Sequence, residues 1–285
     1  MVVFLILVSL HSSRAVIAPG NNKLQVSASF YPLYYFATQI GGDRAQVQNI
    51  TPAGSEPHDF EPTIADMARI ETGKLLIING GIEGWGNKIK DQLSGKQVAI
   101  VTAGEGLFSD DQDPHVWVDP VLAEIEVSRI AKGFEKADPG NSIYYRSNAQ
   151  NLTARLAQMD QSYRQGLANC REKDIITSHA AFGHLTKRYG LNQVAITGLS
   201  PDAEPSPAKL AQIVQFAKTH NVKYIFFESL VSPKLSETLA NEIGAKTLVL
   251  DPLEGLSNDD IEKGKDYFTV MQQNLVNLRT ALQCQ

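Results

Sequence analysis

Residues 141–165 contain neither glycine nor proline, and this one stretch does most to limit how the chain can fold. Across residues 138–170, Leu152, Leu156, Met159, Tyr163 and Leu167 fall at spacings of 4, 3, 4 and 4, the mark of one apolar helical face. Starting from Asp138-Pro139, the pattern predicts a helix of about 28 residues, about 42 Å long at ~1.5 Å per residue. That is longer than a crossover between two parallel strands needs. It reads as a rigid connector, residues 138–170, between two lobes.

On both sides of the connector, short apolar runs alternate with amphipathic ones. Upstream, residues 25–30 alternate as a strand, 47–51 read as a second strand, and 63–72 as a short helix closed by Gly73. The unbroken apolar run 75–78 predicts a strand buried on both faces, followed by a helix over 82–93 and a strand over 98–102. Downstream, strands are expected at 174–178, 193–197, 224–227 and 247–250. Helices at 179–189, 207–220 and 233–243 lie between them, and a last helix ends the chain. Strands alternating with helices give parallel βαβ units. The expected architecture is α/β, with two βα lobes (22–137 and 171–285), parallel sheets, and a cleft between the lobes where a ligand binds.

The 285 residues suit one large domain or two ordinary ones, and 43% hydrophobic with 20% charged content describes a chain able to bury a core. A net charge of -5, from 26 Lys+Arg and 31 Asp+Glu, comes with no basic run, so no nucleic-acid partner is expected. Val2 to Leu10 is nearly all apolar and too short to span a bilayer. With the small residues of Ser13-Arg14-Ala15 and Val16-Ile17-Ala18 after it, the run reads as a secretory signal over 1–18, though it lacks a positive start; a buried N-terminal strand is the alternative. No cysteine lies near the cleavage region, so a lipid-anchored form is not expected. The 2 cysteines, Cys170 and Cys284, are expected to pair in an oxidising compartment.

The most tightly framed polar residue is His115, in Asp113-Pro114-His115-Val116-Trp117-Val118-Asp119-Pro120. Proline fixes the backbone before it, an apolar anchor follows, and Pro120 starts a helix. Alone, His115 is as well explained by local packing as by a ligand role. Three further polar groups also stand at predicted strand ends: His58, His179 and Asp251. Two come from each half, and the carboxyl ends of the strands share one rim. Three imidazoles and a carboxylate suit tetrahedral Zn2+. Their wide separation supplies no compact spacing motif. His11 lies in the signal stretch, and His220 at a helix end where a cation suits the dipole. His184, about 140° round a helix from His179, does not share its direction. Glu228 is expected to support a ligand histidine rather than to bind metal.

No nucleophile elbow, dinucleotide fingerprint or P-loop is present, and Gly80-Gly81-Ile82-Glu83-Gly84-Trp85-Gly86 has the wrong spacing for a nucleotide loop. Four protein ligands leave no open position for water or substrate, which favours carrying an ion over using it. A zinc hydrolase with three histidines and an open site is the alternative from another class. An adhesin on the same scaffold is a third.

These segments resemble the solute-binding proteins of ABC importers for zinc and manganese, the ZnuA/TroA-like group. The likeness is carried by Ser29-Phe30-Tyr31-Pro32-Leu33, by Gly54-Ser55-Glu56-Pro57-His58-Asp59-Phe60-Glu61-Pro62, by Asn79-Gly80, and by the Asp113 to Pro120 motif. It continues through Ser178-His179, Ala181-Phe182, Tyr189-Gly190-Leu191, Glu204-Pro205-Ser206-Pro207, Phe227-Glu228 and Leu250-Asp251-Pro252. The resemblance implies a metal ion between the lobes, with His58, His115, His179 and Asp251 as ligands. It implies a non-enzymatic, monomeric periplasmic carrier that delivers the ion to an ABC permease in the inner membrane. Histidine at 179 tilts the metal to zinc, because manganese members carry glutamate there; manganese or iron is the alternative. Two features depart from the zinc pattern. The stretch 104–112 before His115 is short and has acids but no histidine, and His184 stands where relatives usually have an aromatic residue.

Overall fold

The computed structural model describes residues 23–108 and 113–285; the stretch 1–18 expected to be a signal and the acids Asp110 and Asp111 lie outside them. Each half is a four-stranded, wholly parallel sheet. In the first, β1 (Leu24–Ala28), β2 (Ala45–Asn49), β3 (Leu75–Ile78) and β4 (Ala99–Thr102) lie in the order β2-β1-β3-β4. In the second, β5 (Asp174–Thr177), β6 (Asn192–Ala195), β7 (Tyr224–Phe227) and β8 (Lys246–Val249) lie in the order β6-β5-β7-β8. Both sheets therefore repeat one winding, which reverses direction between their first and third strands. Chain leaving the carboxyl ends at such a reversal frames a crevice.

Helices cover the sheets: α1 (Tyr31–Gly41), α2 (Ile64–Thr72), α3 (Gly86–Gln92) and α4 (Pro120–Ala137) in the first half. The second has α6 (Gly183–Tyr189), α7 (Pro207–Thr219), α8 (Lys234–Ile243), α9 (Asn258–Glu262) and α10 (Tyr267–Ala281). Local chemistry sets several of their limits. Thr63 and Asp66 form a reciprocal capping box at the start of α2, and Asp119 caps α4 by accepting the Val121 N–H at 3.0 Å. The helix expected over 82–93 begins only at Gly86, because the Glu83 carboxylate takes the Asn79 and Gly80 N–H groups at 2.7 and 2.9 Å. That bonding holds residues 79–83 as a turn.

The connector is α5 (Ser142–Leu167), 26 residues and about 39 Å long. A short 3-10 turn (Pro139–Asn141) precedes it, so the expected start at Asp138 moves inward. Its buried side chains are Tyr145, Ala149, Leu152, Leu156, Met159, Tyr163 and Leu167, the face read from the sequence. They pack against α1 and α4 on one side and α6 and α10 on the other. One apolar core consequently runs without a break from β1 through α5 to α10, and smaller clusters cover the outer faces of the two sheets. The Tyr163 hydroxyl donates to the Met271 carbonyl at 2.8 Å, and Arg155 lies over the Phe268 ring at 3.9 Å. A core shared this way leaves little room for one sheet to swing away from the other.

Cys170 and Cys284 form a disulfide that ties the residue just beyond α5 to the one just beyond α10, across a separation of 114 residues. Closing so long a loop stabilises by up to roughly 4–5 kcal/mol in the chain-entropy picture. Reduction is expected to lower the melting temperature by about 10 °C. Melting curves with and without reductant check this, and superimposable curves would count against it.

Candidate metal centre

Four side chains from four separate loops meet where the two sheets face each other. His58 lies on the loop after β2, His115 on the loop after β4, His179 just past β5, and Glu254 on the loop after β8. Their ligand atoms all lie within 4.8 Å of one another. His115 Nε2 is 3.3 Å from both His58 Nε2 and His179 Nε2. Glu254 Oε1 is 3.0 Å from His58 Nε2, 2.9 Å from His115 Nε2 and 3.3 Å from His179 Nε2. A tetrahedron with metal–ligand bonds of about 2.0–2.1 Å has edges of about 3.3–3.4 Å. Five of the six edges, at 2.9–3.3 Å, sit at or under that length, and the sixth, between His58 and His179, lies within 4.8 Å.

Behind each buried imidazole stands a carboxylate. His115 Nδ1 is 2.6 Å from Asp113 Oδ1, and His179 Nδ1 is 2.8 Å from both oxygens of Glu228. Carboxylates accept, so both rings carry a proton on Nδ1 and turn Nε2 toward the centre. The winding of the second sheet explains this pairing: His179 and Glu228 leave the ends of β5 and β7, at the reversal point. In the first sheet, Asn79 leaves β3 and donates through Nδ2 to the Pro114 carbonyl at 3.3 Å, steadying the residue before His115.

The site is nearly closed to solvent. The side chains of His115 and His179 are fully buried and Glu254 is 2% exposed, whereas His58 keeps 11% exposure. Burial alone would neutralise these groups, but their mutual attraction wins. Burial pushes the Glu254 carboxyl up, yet its bonds to His115, His179 and His58 bring it well below the ordinary carboxylate range. Burial lowers His179, but Glu228 and Glu254 raise it to about 10; His115 is likewise raised by Asp113 and Glu254. Glu56, two residues before His58, is pushed up to about 8 by burial and by the nearby Glu254 charge. Its Oε1 accepts the His58 backbone N–H at 3.3 Å.

Three of the expected ligands, His58, His115 and His179, are thus brought together; Asp251 is not. Its Oδ1 accepts the Leu253 N–H at 2.7 Å, and its backbone N–H and C=O are bonded to the Asn274 amide at 2.9 and 2.7 Å. Asp251 is buried and shapes a turn in which Leu253 takes φ +62°, a left-handed conformation unusual for leucine. The turn swings the chain so that Glu254, three residues on, faces the histidines. A search confined to polar groups at strand ends does not reach Glu254. The signal that pointed further was Leu253-Glu254-Gly255, a carboxylate beside a glycine straight after Asp251-Pro252.

Two expectations about neighbouring residues also resolve. Glu228 backs His179, as anticipated, while His184 is not among the four grouped residues and bonds the Asp113 carbonyl. The helix expected from His179 starts at Gly183 instead. The His179 carbonyl is already taken by Thr177 Oγ1 at 2.8 Å and Gln193 Nε2 at 3.0 Å, and so cannot open a helical ladder.

A family model described as zinc-uptake complex component A, periplasmic, matches residues 26–281. The high-affinity zinc uptake system protein ZnuA of Bacillus subtilis (strain 168) is 42% identical, over 92% of this chain and 88% of its own length. The zinc-binding protein AdcA of Streptococcus pyogenes serotype M6 is 35% identical over 95% of this chain, which spans only 58% of that longer relative. Among solved structures, the Zn(II)-bound ZnuA-like domain of Streptococcus pneumoniae AdcA superposes with a TM-score of 0.83 at 38% identity, covering 92% of this chain and 99% of that one.

Proposed function

The chain belongs to the family of zinc-uptake component A proteins, and from that premise we propose that it captures a zinc ion in the periplasm and delivers it to an ABC permease in the inner membrane. The proposed ligands are His58, His115, His179 and Glu254. The observation that carries this reading is the convergence of three imidazole Nε2 atoms and one carboxylate oxygen within 4.8 Å of one another, five of the six pairs at 2.9–3.3 Å. Three nitrogens and one oxygen suit zinc, whereas a harder manganese ion would favour a second carboxylate in place of an imidazole. A full set of four protein ligands holds the ion as cargo and leaves no place for a reactive water.

The proposal includes export by the signal in residues 1–18 and action as a monomer. It also includes the division into lobes 22–137 and 171–285 about the connector 138–170. Release follows from the packing. The core shared through α5 resists a wide hinge, and His58, the most exposed of the four groups, sits on an irregular loop between β2 and α2. Zinc would leave as that loop lifts.

Competition titration of metal-stripped protein tests the reading. One zinc per chain is expected, held more tightly than manganese. Four ligands share about 10–16 kcal/mol of zinc binding, so His179→Ala is expected to cost ~3–4 kcal/mol, or ~10²–10³ in affinity. Near-native affinity in that variant would sink the assignment.

A further inference from the structure

Asp113 has two sets of partners, one in each half of the molecule. Its carboxylate Oδ1 faces His115 Nδ1 at 2.6 Å and also accepts the His115 backbone N–H at 2.9 Å. Its backbone carbonyl lies 2.7 Å from His184 Nε2, on α6 of the second half. A carbonyl oxygen can only accept, so His184 carries its proton on Nε2 and donates it. Arg188, one turn further along the same face of α6, pairs through Nε with Asp119, 2.5 Å from Oδ2. The helix thus grips the segment 113–119 near both ends.

Gly183 completes the fit. A Cβ there would lie 2.6 Å from Asp113 Oδ2, so the Asp113 carboxylate occupies space that only glycine leaves free. Asp113 is therefore held from behind by two consecutive residues, one by contact and one by giving way.

We propose that His184 is a positioning residue for the metal centre: from the second half, it fixes Asp113, and through Asp113 the tautomer and aim of His115. This rests on the reading that His115 binds the ion. Asp113 keeps a His115 proton on Nδ1 and so leaves Nε2 as the atom turned toward Glu254 and the other imidazoles. A ligand supplied by one half is then aligned only while α6 of the other half is docked. Any parting of α6 from the segment loosens His115, which couples relative movement of the halves to loss of the ion.

The test uses the full chain and zinc alone, with four variants: His184→Ala, His184→Gln, Gly183→Ala and His115→Ala. Zinc dissociation is timed against a chelator, and the His115 Nδ1 proton is followed by NMR in metal-free protein. His184→Ala and Gly183→Ala are each expected to speed dissociation by ~10-fold or more, the usual effect of losing a ligand's support, and to shift or broaden the His115 Nδ1 proton. His184→Gln keeps a donor and is expected to stay within ~3-fold of the parent. Gly183→Ala leaves every hydrogen-bonding group in place and tests the link from Asp113 to His115, while His184→Ala and His184→Gln test the link from His184 to Asp113. Dissociation within about twofold of the parent in either Gly183→Ala or His184→Ala, with the His115 proton unmoved, would overturn the proposal. His115→Ala separates the two levels. If it keeps native zinc affinity, the ligand reading itself falls, and this inference with it.

Discussion

Glu254→Gln is expected to weaken zinc binding by ~10²–10³, while Asp251→Asn costs no more than ~10-fold. The difference follows from where the two carboxylates point. Glu254 Oε1 is within 3.3 Å of all three histidine Nε2 atoms and supplies the only negative charge among the four groups taken as ligands. Its loss removes both a bond and the charge that offsets the ion. Asp251 spends its carboxylate on the Leu253 N–H, so asparagine, which keeps an acceptor, retains the turn. Asp251→Ala goes further. It frees a buried N–H and relaxes a left-handed leucine, and it is expected to weaken zinc and lower stability together. Competition titration of Glu254→Gln and Asp251→Asn side by side checks this. Equal losses, or a larger loss in Asp251→Asn, would mean the fourth ligand is Asp251.

Zinc binding is expected to release between one and two protons near neutral pH, and affinity to climb roughly ten- to a hundredfold per pH unit. The metal takes the Nε2 lone pair, so a protonated imidazole must first lose a proton. His179, raised to about 10 by Glu228 and Glu254, still holds its proton at pH 7, and His115 is raised in the same direction. A raised value means that the competing proton persists as pH increases. Affinity therefore goes on improving above the usual imidazole range and falls as pH drops. Glu228→Gln removes one cause of the shift, so it is expected to reduce the number of protons released and to flatten the pH profile. Calorimetry in two buffers of different ionisation enthalpy counts the protons. A release near zero at pH 7 would contradict the charge arrangement.

The parts of the fold written in continuous apolar runs were legible to the residue. The strands over 75–78 and 224–227 fall where expected, because a strand covered on both faces leaves no polar position to blur its ends. The buried face of α5 was equally plain, since its period persists over many turns. What could not be read were limits set by side chains acting across space. Glu83 delays α3, and Thr177 with Gln193 delays α6, and neither acts through its own segment's pattern. Helix α1 also escaped, because its nearly all-buried aromatic run lacks a polar face to mark the period.

The site divides along similar lines. His179 sits just past β5, and His58 and His115 lie on the longer loops that leave β2 and β4, so alternation of strands and helices was enough to gather them. Glu254 escaped because a turn made by Asp251 and Leu253 lies between the strand and the group that faces the centre. The roles of Asp113 and His184 depend on a helix of the second half reaching the first. No spacing along the chain records that contact.

One ion is expected to be held by His58, His115, His179 and Glu254. Diffraction from crystals of the zinc-loaded protein, collected on both sides of the zinc absorption edge, tests it most directly. The prediction is a single anomalous peak about 2.0–2.2 Å from the three Nε2 atoms and a Glu254 oxygen, with no protein atom in a fifth position. A peak bonded to Asp251 instead of Glu254, or one lying away from the three histidines, would contradict it.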